Sequence, residues 1–229
     1  MVRGLFISGT DTEVGKTFFT SALASYLRSQ HMDVGVFKPV ATGGAPNEDA
    51  ELLKSASGSS DSLEAINPVC LPDPLSPNVA ADLVNQPIDL DPVLRGYARL
   101  RARHEITLVE GVGGLLVPIL DNFSVADLAL EMDLPLLIVA RSALGTINHT
   151  LLTLEAAAAR GLEVRGVIFN TLASGPPSKA AETSPDVISA ISGIPSLGTL
   201  PFSNCFKNAW SSMSELLEDH IDLDKLLKP

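Results

Sequence analysis

A glycine-rich segment near the amino terminus has the residue types of a phosphate-binding loop. Residues 9–17 read Gly-Thr-Asp-Thr-Glu-Val-Gly-Lys-Thr and separate a short apolar run from a helix-like segment. In such a turn, backbone N–H groups and the start of the helix point towards phosphate oxygens. Lys16 should then reach the β- and γ-phosphates of a nucleotide, and the Thr17 hydroxyl should bind Mg²⁺. Five residues separate the glycines, one more than usual, and an ordinary glycine-rich turn is the alternative interpretation.

An acidic residue at the end of a later apolar run is a candidate metal ligand. Glu110 ends this run and is followed by the sequence Gly-Val-Gly-Gly. A carboxylate in that place can hold Mg²⁺ directly or through water, and glycines allow the main chain to approach phosphate closely. We therefore interpret Glu110 as a magnesium ligand. The alternative is a strand-terminal glutamate that points into solvent.

Two further charged residues are candidates for the same site. Lys38 closes the second apolar run, so it should emerge at the same sheet edge as Lys16 and help to neutralise a transferring phosphoryl group. A simply solvated lysine is an equally good interpretation. Asp49 could be a third metal ligand, but its residue type alone favours an acid at a helix start.

Two polar segments occur later in the chain. Asn170 ends an apolar run, and its amide could pair with the N6/N7 edge of adenine or could belong to a turn. Residues 145–149, Gly-Thr-Ile-Asn-His, open a helix-like segment whose free N–H groups suit an anion. His149 is more simply explained as a capping or packing residue than as a catalytic one.

The elements that must position these residues alternate between strand-like and helix-like segments. The strand-like runs are almost continuously apolar, which is typical of strands covered on both faces: 4–8, 34–38, 106–110, 136–140, 164–170 and 196–200. The helix-like segments are 16–30, 91–103, 124–132 and 147–160. This alternation predicts an α/β fold with a doubly wound, mainly parallel sheet and helices on both faces, as in P-loop NTPases. Ligands should bind at the carboxyl ends of the strands.

Two segments depart from this alternation. Residues 45–86 are rich in Pro, Ser and Asn, and residues 171–185 have the composition of a loop beside the expected ligand edge. Residues 212–228 are amphipathic and should close the core. We expect one P-loop ATP-binding domain over residues 1–229.

Composition and charge exclude several classes of function. The chain has 229 residues, 45% of them hydrophobic, and a formal net charge of -11, which disfavours nucleic acid as a partner. Neither an apolar run long enough to cross a bilayer nor a signal-peptide core is evident. The two cysteines, Cys70 and Cys205, have no other cysteine or histidine at metal-ligand spacing beside them. We therefore expect a cytoplasmic protein without a disulfide or a zinc site.

Taken together, the motifs resemble those of the dethiobiotin synthetase family over most of the chain. Five segments occur in family order: the phosphate-binding loop with its additional residue, Lys-Pro-Val-Ala from Lys38, Asn-x-Asp-Ala from Asn47, Val-Glu-Gly-x-Gly-Gly from Val109 and Ile-Asn-His from Ile147. Five ordered motifs are far more specific than one loop.

The resemblance implies an ATP-dependent cyclo-ligase of biotin synthesis. In its reaction, 7,8-diaminononanoate takes up CO₂ as a carbamate, ATP phosphorylates the carbamate, and the second amine closes a ureido ring with loss of phosphate. The family is a homodimer in which the helix that starts near Thr146 serves the substrate carboxylate of the neighbouring subunit.

The resemblance also implies roles for individual residues. The catalytic residues would be Lys38, Lys16 and Thr12, the metal ligands Thr17, Asp49 and Glu110, and the substrate-binding residues Thr42 and Asn148. The nucleotide would be bound by Glu13, Val14, Gly15, Lys16, Thr17, Phe18, Asp49, Glu110, Gly111, Val112, Gly113, Asn170, Pro201 and Phe202. A member of the family differs at three of these places, with Ser at the position of Thr42, Asp at that of Thr171 and Trp at that of Phe202.

Three other functions are compatible with a phosphate-binding loop. Partitioning and chaperone ATPase switches carry a second lysine early in the loop, where this chain has Asp11. The cobyrinate and cobyrate synthases append a glutaminase domain, for which 229 residues leave no room. A non-catalytic nucleotide-binding module would bind ATP without substrate-dependent turnover.

Overall fold

The architecture is a central parallel sheet with helices on both faces, seen in a computed structural model of the chain. The structure describes residues 2–44, 46–203 and 209–228. The strands are β1 (Gly4–Gly9), β2 (Val34–Phe37), β3 (Val40–Thr42), β4 (Val69–Leu71), β5 (Ile106–Gly114), β6 (Pro118–Leu120), β7 (Phe123–Ser124), β8 (Leu136–Arg141), β9 (Val164–Asn170) and β10 (Ser196–Leu200).

The helices alternate with these strands. They are α1 (Lys16–Ser29), α2 (Glu48–Ser57), α3 (Leu63–Ile66), α4 (Pro77–Leu83), α5 (Leu90–Arg103), α6 (Val125–Glu131), α7 (Thr146–Ala158), α8 (Lys179–Ser192), α9 (Trp210–His220) and α10 (Leu223–Leu227). None of the helices in the described ranges is both long and apolar enough to cross a bilayer.

Six strands form the central sheet in the order β10-β9-β8-β1-β5-β2, and all their pairings are parallel. Their carboxyl ends therefore lie along one edge. Strands β3 and β4 form a separate parallel pair beside this edge, and β6 and β7 form a short antiparallel pair. The predicted α/β fold is confirmed, including all six strands of the main sheet.

Alternate side chains of the central strands enter two hydrophobic cores, one on each face of the sheet. Leu5 and Ile7 of β1 pack among residues of α1, α2, α9 and α10, whereas Phe6 packs among residues of α5, α6 and α7. Burial on both faces explains why the strands are continuously apolar in sequence. The amphipathic carboxyl-terminal segment closes the first core, as expected, through α9 and α10.

The helix that follows the phosphate-binding loop is held on its far side by α9. Ser25 of α1 donates a hydrogen bond to the Trp210 carbonyl oxygen, and the Ser214 hydroxyl donates to the Ser25 hydroxyl. Most residues of α1 between Lys16 and Leu27 are buried. This helix is therefore enclosed between the sheet and the carboxyl-terminal segment.

Two segments are more regular than the sequence indicated. Residues 46–86 contain α2, α3, β4 and α4, where an irregular stretch was expected. The short helices begin at the side-chain caps Asn47 and Ser62, so their polar composition reflects capping. Only residues 171–178 of the second segment form a loop, because α8 begins after the Ser178 cap and continues through Pro185.

Candidate active site

The phosphate-binding loop connects β1 to α1, as the sequence predicted. Gly15 caps α1 with a left-handed backbone, and Glu13 also has a positive φ of 58°. The loop thus has two residues with a left-handed backbone, one of them not a glycine. At Gly9, a β-carbon would lie 3.2 Å from the Lys16 ammonium and 2.8 Å from a Val14 methyl group. Glycine is therefore needed where the lysine folds back over the loop.

Lys16 lies inside this loop. Its ammonium donates a hydrogen bond to the Asp11 carbonyl oxygen at 3.1 Å, and only 7% of the residue is exposed. Burial, followed by the nearby Lys38 charge, lowers the pKa of Lys16 from 10.5 to about 8, although nearby carboxylates oppose this. A negatively charged ligand in the loop would offset this unfavourable environment.

The second lysine, Lys38, joins the two predicted acidic ligands. Its ammonium lies 2.5 Å from Oε1 of Glu110 and 2.9 Å from Oδ2 of Asp49. Lys38 and Glu110 are almost completely buried, whereas the Asp49 side chain is 39% exposed. Lys38 is thus part of the site and is not a solvated lysine at a sheet edge. Asp49 lies in the first turn of α2, so it is both a helix-start acid and a member of the site.

These ion pairs determine the protonation of the cluster. Burial by itself lowers the pKa of Lys38, but the Glu110 and Asp49 carboxylates outweigh it and raise this pKa above its ordinary value. Burial is the largest effect on Asp49 and raises its pKa, but the Lys38 charge and hydrogen bond, the Thr17 hydroxyl and the Lys16 charge together outweigh burial and hold this pKa below its usual range. Lys38 is therefore an ammonium and Asp49 a carboxylate near neutral pH.

Glu110 lies in the middle of β5, because the strand continues to Gly114, so it does not end the strand as the sequence indicated. Its carboxylate has unused metal-binding capacity. Oε1 of Glu110 also accepts a hydrogen bond from the Thr17 hydroxyl at 2.8 Å. Its second oxygen, Oε2, is buried and has no hydrogen-bond partner within the ranges that the structure describes. A buried carboxylate oxygen without a partner next to a hydroxyl and a second carboxylate fits a hard cation such as Mg²⁺.

One cleft of about 480 Å³ brings most of the predicted site residues together. Those that line it are Thr12, Glu13, Gly15, Lys16, Thr17, Phe18, Lys38, Thr42, Asp49, Glu110, Val112, Gly113, Asn170 and Phe202. It is also lined by three residues for which no role was predicted, namely Thr171, Leu172 and Ser203. They follow β9 and β10, so the rule that ligands bind beyond strand ends could have identified them.

Four predicted site residues are not among the described residues that line this cleft. Val14 is buried beneath the loop, where its carbonyl oxygen accepts a hydrogen bond from Asn170. Gly111 contacts the core, because a β-carbon there would lie 3.0 Å from both Phe6 and Val125. Pro201 precedes the cleft residue Phe202, and Asn148 is exposed in the first turn of α7. Neither is among the described residues that line the cleft.

A second cavity of about 510 Å³ lies on the other side of the phosphate-binding loop. It is lined by Thr10, Asp11, Thr12, Gly114, Leu115, Leu116, Val117, Pro118, His149, Leu152 and Thr153. His149 lies 3.3 Å from the Arg141 guanidinium. The interpretation of His149 as a capping or packing residue stays a prediction.

Comparisons with known proteins identify the family. A protein-family model described as "AAA domain" matches residues 3–209. The curated "ATP-dependent dethiobiotin synthetase BioD" of Bacillus subtilis (strain 168) is 40% identical, and the match covers 99% of this chain and 98% of that protein. The protein of the same name from Nitrosopumilus maritimus is 36% identical over 99% of this chain and 100% of that protein. The chain belongs to the dethiobiotin synthetase family.

Solved structures of much lower sequence identity support the fold of this dethiobiotin synthetase family member. Chloroplast FtsY from Physcomitrella patens is 16% identical with a TM-score of 0.53, and the match covers 95% of this chain and 65% of that chain. FtsY from Elizabethkingia anophelis is 14% identical with a TM-score of 0.51, over 93% and 64% of the two chains. At this identity the likeness concerns the fold alone.

Membership of the dethiobiotin synthetase family confirms the resemblance found in the sequence. The family match extends over almost the whole chain. It includes the strand pair β3–β4, in which β3 carries Thr42, and the helix α2, which carries Asp49. An ATPase switch is not favoured, because the full-length relatives carry the name of a synthetase.

Proposed function

We propose that the 480 Å³ cleft is the active site of an ATP-dependent dethiobiotin synthetase. The observation that carries the proposal is a pair of hydrogen bonds that connects the two ends of this cleft. The Lys38 ammonium and the Thr17 hydroxyl of the phosphate-binding loop both donate to Oε1 of Glu110. A group that contacts Lys38 is therefore held beside the phosphates that the loop would bind. This arrangement suits transfer of a phosphoryl group to an acceptor next to Lys38.

The acceptor would be the carbamate of 7,8-diaminononanoate. A carbamate oxygen attacks the γ-phosphorus of ATP, the bond to the bridging oxygen breaks, and ADP leaves with that electron pair. The second amine then attacks the carbamate carbon, loses its proton, and displaces phosphate to close the ureido ring. Lys38 would stabilise the negative charge of the carbamate. Thr12 and Thr42 line the same cleft, and their hydroxyls would orient the carbamate.

The phosphate end of the cleft would stabilise the charge of the transferring group. Lys16 is the cation nearest the loop amides, and it would stay protonated once phosphate oxygens replace the Asp11 carbonyl as its partner. Thr17, Asp49 and Glu110 would hold Mg²⁺, which supplies positive charge to phosphate oxygens when it is bound. The unpartnered Oε2 of Glu110 supports this assignment.

The base of the nucleotide would lie at the carboxyl ends of β9 and β10. Asn170 is fixed through its Nδ2 group, which leaves its amide oxygen to accept a hydrogen bond from the amine of adenine. The 38% exposed Phe202 provides an aromatic face at the same end of the cleft, and Pro201 would orient it. These positions agree with ATP as the phosphoryl donor.

The substrate carboxylate would be bound by a second copy of the chain. Helix α7 begins at Gly145, which supplies no side-chain cap, and Asn148 in its first turn is exposed. Leu144, Leu116 and Leu152 are also exposed, at 87%, 53% and 55%. Leu116 and Leu152 line the second cavity, and Leu144 precedes the Gly145 cap of α7. Exposed apolar side chains of this kind suit burial in a homodimer interface. We further propose that residues 1–229 act as one domain in the cytoplasm.

An assay of ADP release tests the proposed function. Purified protein with MgATP is supplied with 7,8-diaminononanoate and bicarbonate, and each is omitted in turn. We expect ADP release to require both, and dethiobiotin to appear in equal amount to ADP by mass spectrometry. Steady ATP hydrolysis that is indifferent to both compounds would instead indicate an ATPase of another function.

A further inference from the structure

Asn67 holds the main chain of Lys38 although it does not line the cleft itself. Asn67 is 8% exposed, and its Nδ2 group donates hydrogen bonds to the Lys38 carbonyl oxygen at 2.7 Å and to the Val69 carbonyl oxygen at 2.9 Å. The Lys38 N–H donates to the Ile66 carbonyl oxygen at 2.8 Å. Both main-chain polar groups of Lys38 are thus bonded to residues 66–67.

The place of Lys38 in the chain explains why such support is needed. Lys38 follows the edge strand β2 and precedes Pro39, which has no N–H group. Here the chain leaves the central sheet for the separate pair β3–β4. The central sheet therefore does not fix Lys38, and the last residue of α3 together with Asn67 supplies its hydrogen bonds instead.

The position of the Lys38 backbone sets the position of its ammonium. The side chain is buried, and its end lies within hydrogen-bond distance of Glu110 and Asp49. A shift of the backbone by a fraction of an ångström would change both contacts. Misplacement of a catalytic group by about 1 Å can lower a rate by about a hundredfold.

We propose that Asn67 is a positioning residue that sets the place of Lys38 for reaction with the carbamate. The inference rests on the proposed function, because it assigns Asn67 a role through Lys38. Asparagine suits this role because one NH₂ group carries two donors, and here two carbonyl oxygens accept from it. Aspartate has almost the same shape but would place an acceptor against both carbonyl oxygens.

The test uses Asn67→Ala and Asn67→Asp, each in the wild-type chain and together with Lys38→Ala. Single-turnover rates are measured with enzyme in excess over labelled ATP, so that slow reactions remain visible. We expect both variants to react about ten to a hundred times more slowly than wild type. Their affinity for MgATP should change little, because Asn67 contacts no residue of the phosphate-binding loop through its amide group.

The double variants separate positioning from general loss of structure. If Asn67 acts through Lys38, Asn67→Ala should lower the rate by no more than about twofold once Lys38 is alanine. Ser214→Ala is the matched control, because it removes a buried donor between α9 and α1 that lies away from Lys38. It should lower the melting temperature and leave the rate unchanged.

Three results would overturn the inference. They are wild-type rates in both Asn67 variants, an equal loss in the Lys38→Ala background, or a loss confined to MgATP affinity. Failure of the proposed function is distinguishable, because then the wild-type protein itself would not require 7,8-diaminononanoate. Crystal structures of both Asn67 variants give an independent reading, in which the Lys38 ammonium should have moved from Glu110.

Discussion

Asn170 donates a hydrogen bond from its side chain to the main-chain carbonyl oxygen of Val14 at 3.1 Å, across 156 positions of sequence. The end of β9 is therefore attached to the phosphate-binding loop. Gly15 lies against the same amide, because a β-carbon there would collide with Nδ2 of Asn170. The residues proposed for the base and for the phosphates thus form one hydrogen-bonded unit.

The variant Gly15→Ala should reduce ATP affinity through this unit. The added methyl group would displace Asn170, and alanine would also have to adopt a φ of +94°. Gly161→Ala is the control, because Gly161 has a φ of +71° and a β-carbon there meets no atom within 4 Å. Both variants should lose about 1–2 kcal/mol of stability from backbone strain. Only Gly15→Ala should raise the Kd for MgATP, as measured by calorimetry, and equal Kd values would contradict the attachment.

The pKa of Lys16 predicts a fall in kcat/KM for ATP above about pH 8. Lys16 in the free enzyme loses its proton as the pH rises through 8, whereas bound phosphates would hold the proton and keep kcat constant to higher pH. The unfolded chain keeps this proton up to its ordinary pKa of 10.5. Between these values the unfolded state binds more protons, so this group makes the folded state more stable with rising pH.

Steady-state kinetics from pH 7 to 10 measure this dependence. The comparison is Lys16→Arg, whose guanidinium stays charged over the whole range. Its kcat/KM should be lower throughout but should lack the fall near pH 8. A wild-type profile that is flat to pH 9.5 would show that Lys16 does not titrate as we expect.

Glu110→Gln should weaken the Mg²⁺ dependence of turnover by at least about tenfold. An amide oxygen is a poorer ligand for a hard cation than a carboxylate, and Lys38 would lose one of its two ion pairs. The midpoint of a Mg²⁺ titration at fixed ATP measures the effect. Glu48→Gln removes the same charge from an exposed position on α2, and its titration should match wild type. An unchanged midpoint in Glu110→Gln would exclude Glu110 as a ligand.

A mixture of two variants, assayed at a low concentration of 7,8-diaminononanoate where each alone is nearly inactive, tests whether the carboxylate site is shared between subunits. Asn148→Asp should raise the KM for 7,8-diaminononanoate by placing like charge beside its carboxylate, and Lys16→Gln should abolish phosphoryl transfer. In a mixed dimer, one site would carry both defects and the other neither. Random exchange would restore about a quarter of wild-type activity. If mass spectrometry shows mixed dimers and no activity returns, each site is built from one chain.

The main sheet could be predicted because its strands are covered on both faces. Strand β9 shows this most clearly, since its bounds match the predicted 164–170. Residues 46–86 were not predicted, because α2, α3 and α4 are short and their caps have the composition of loops. Polar caps and irregular turns use the same residue types, so local sequence does not separate them.

The candidate site could be predicted where a sequence motif assigns one chemical use to a residue type. Lys16, Thr17 and Glu110 follow from the loop and the strand that carry them, and the cleft contains all three. Asn67 could not be predicted, because its role depends on a contact with the main chain of a residue 29 positions earlier. Likewise, nothing in the residue type of Asn170 indicates that it bonds to Val14.

The enclosure of α1 between the sheet and α9 has a consequence for hydrogen exchange. Because this helix is buried along most of its length, its amides should exchange only in the rare global opening of the fold. Residues 172–178, by contrast, are exposed and should exchange at rates close to those of an unfolded peptide. Adjustment to substrates of different shape would then fall to such surface loops, while the main chain of Lys16 and Thr17 keeps a fixed place throughout the catalytic cycle.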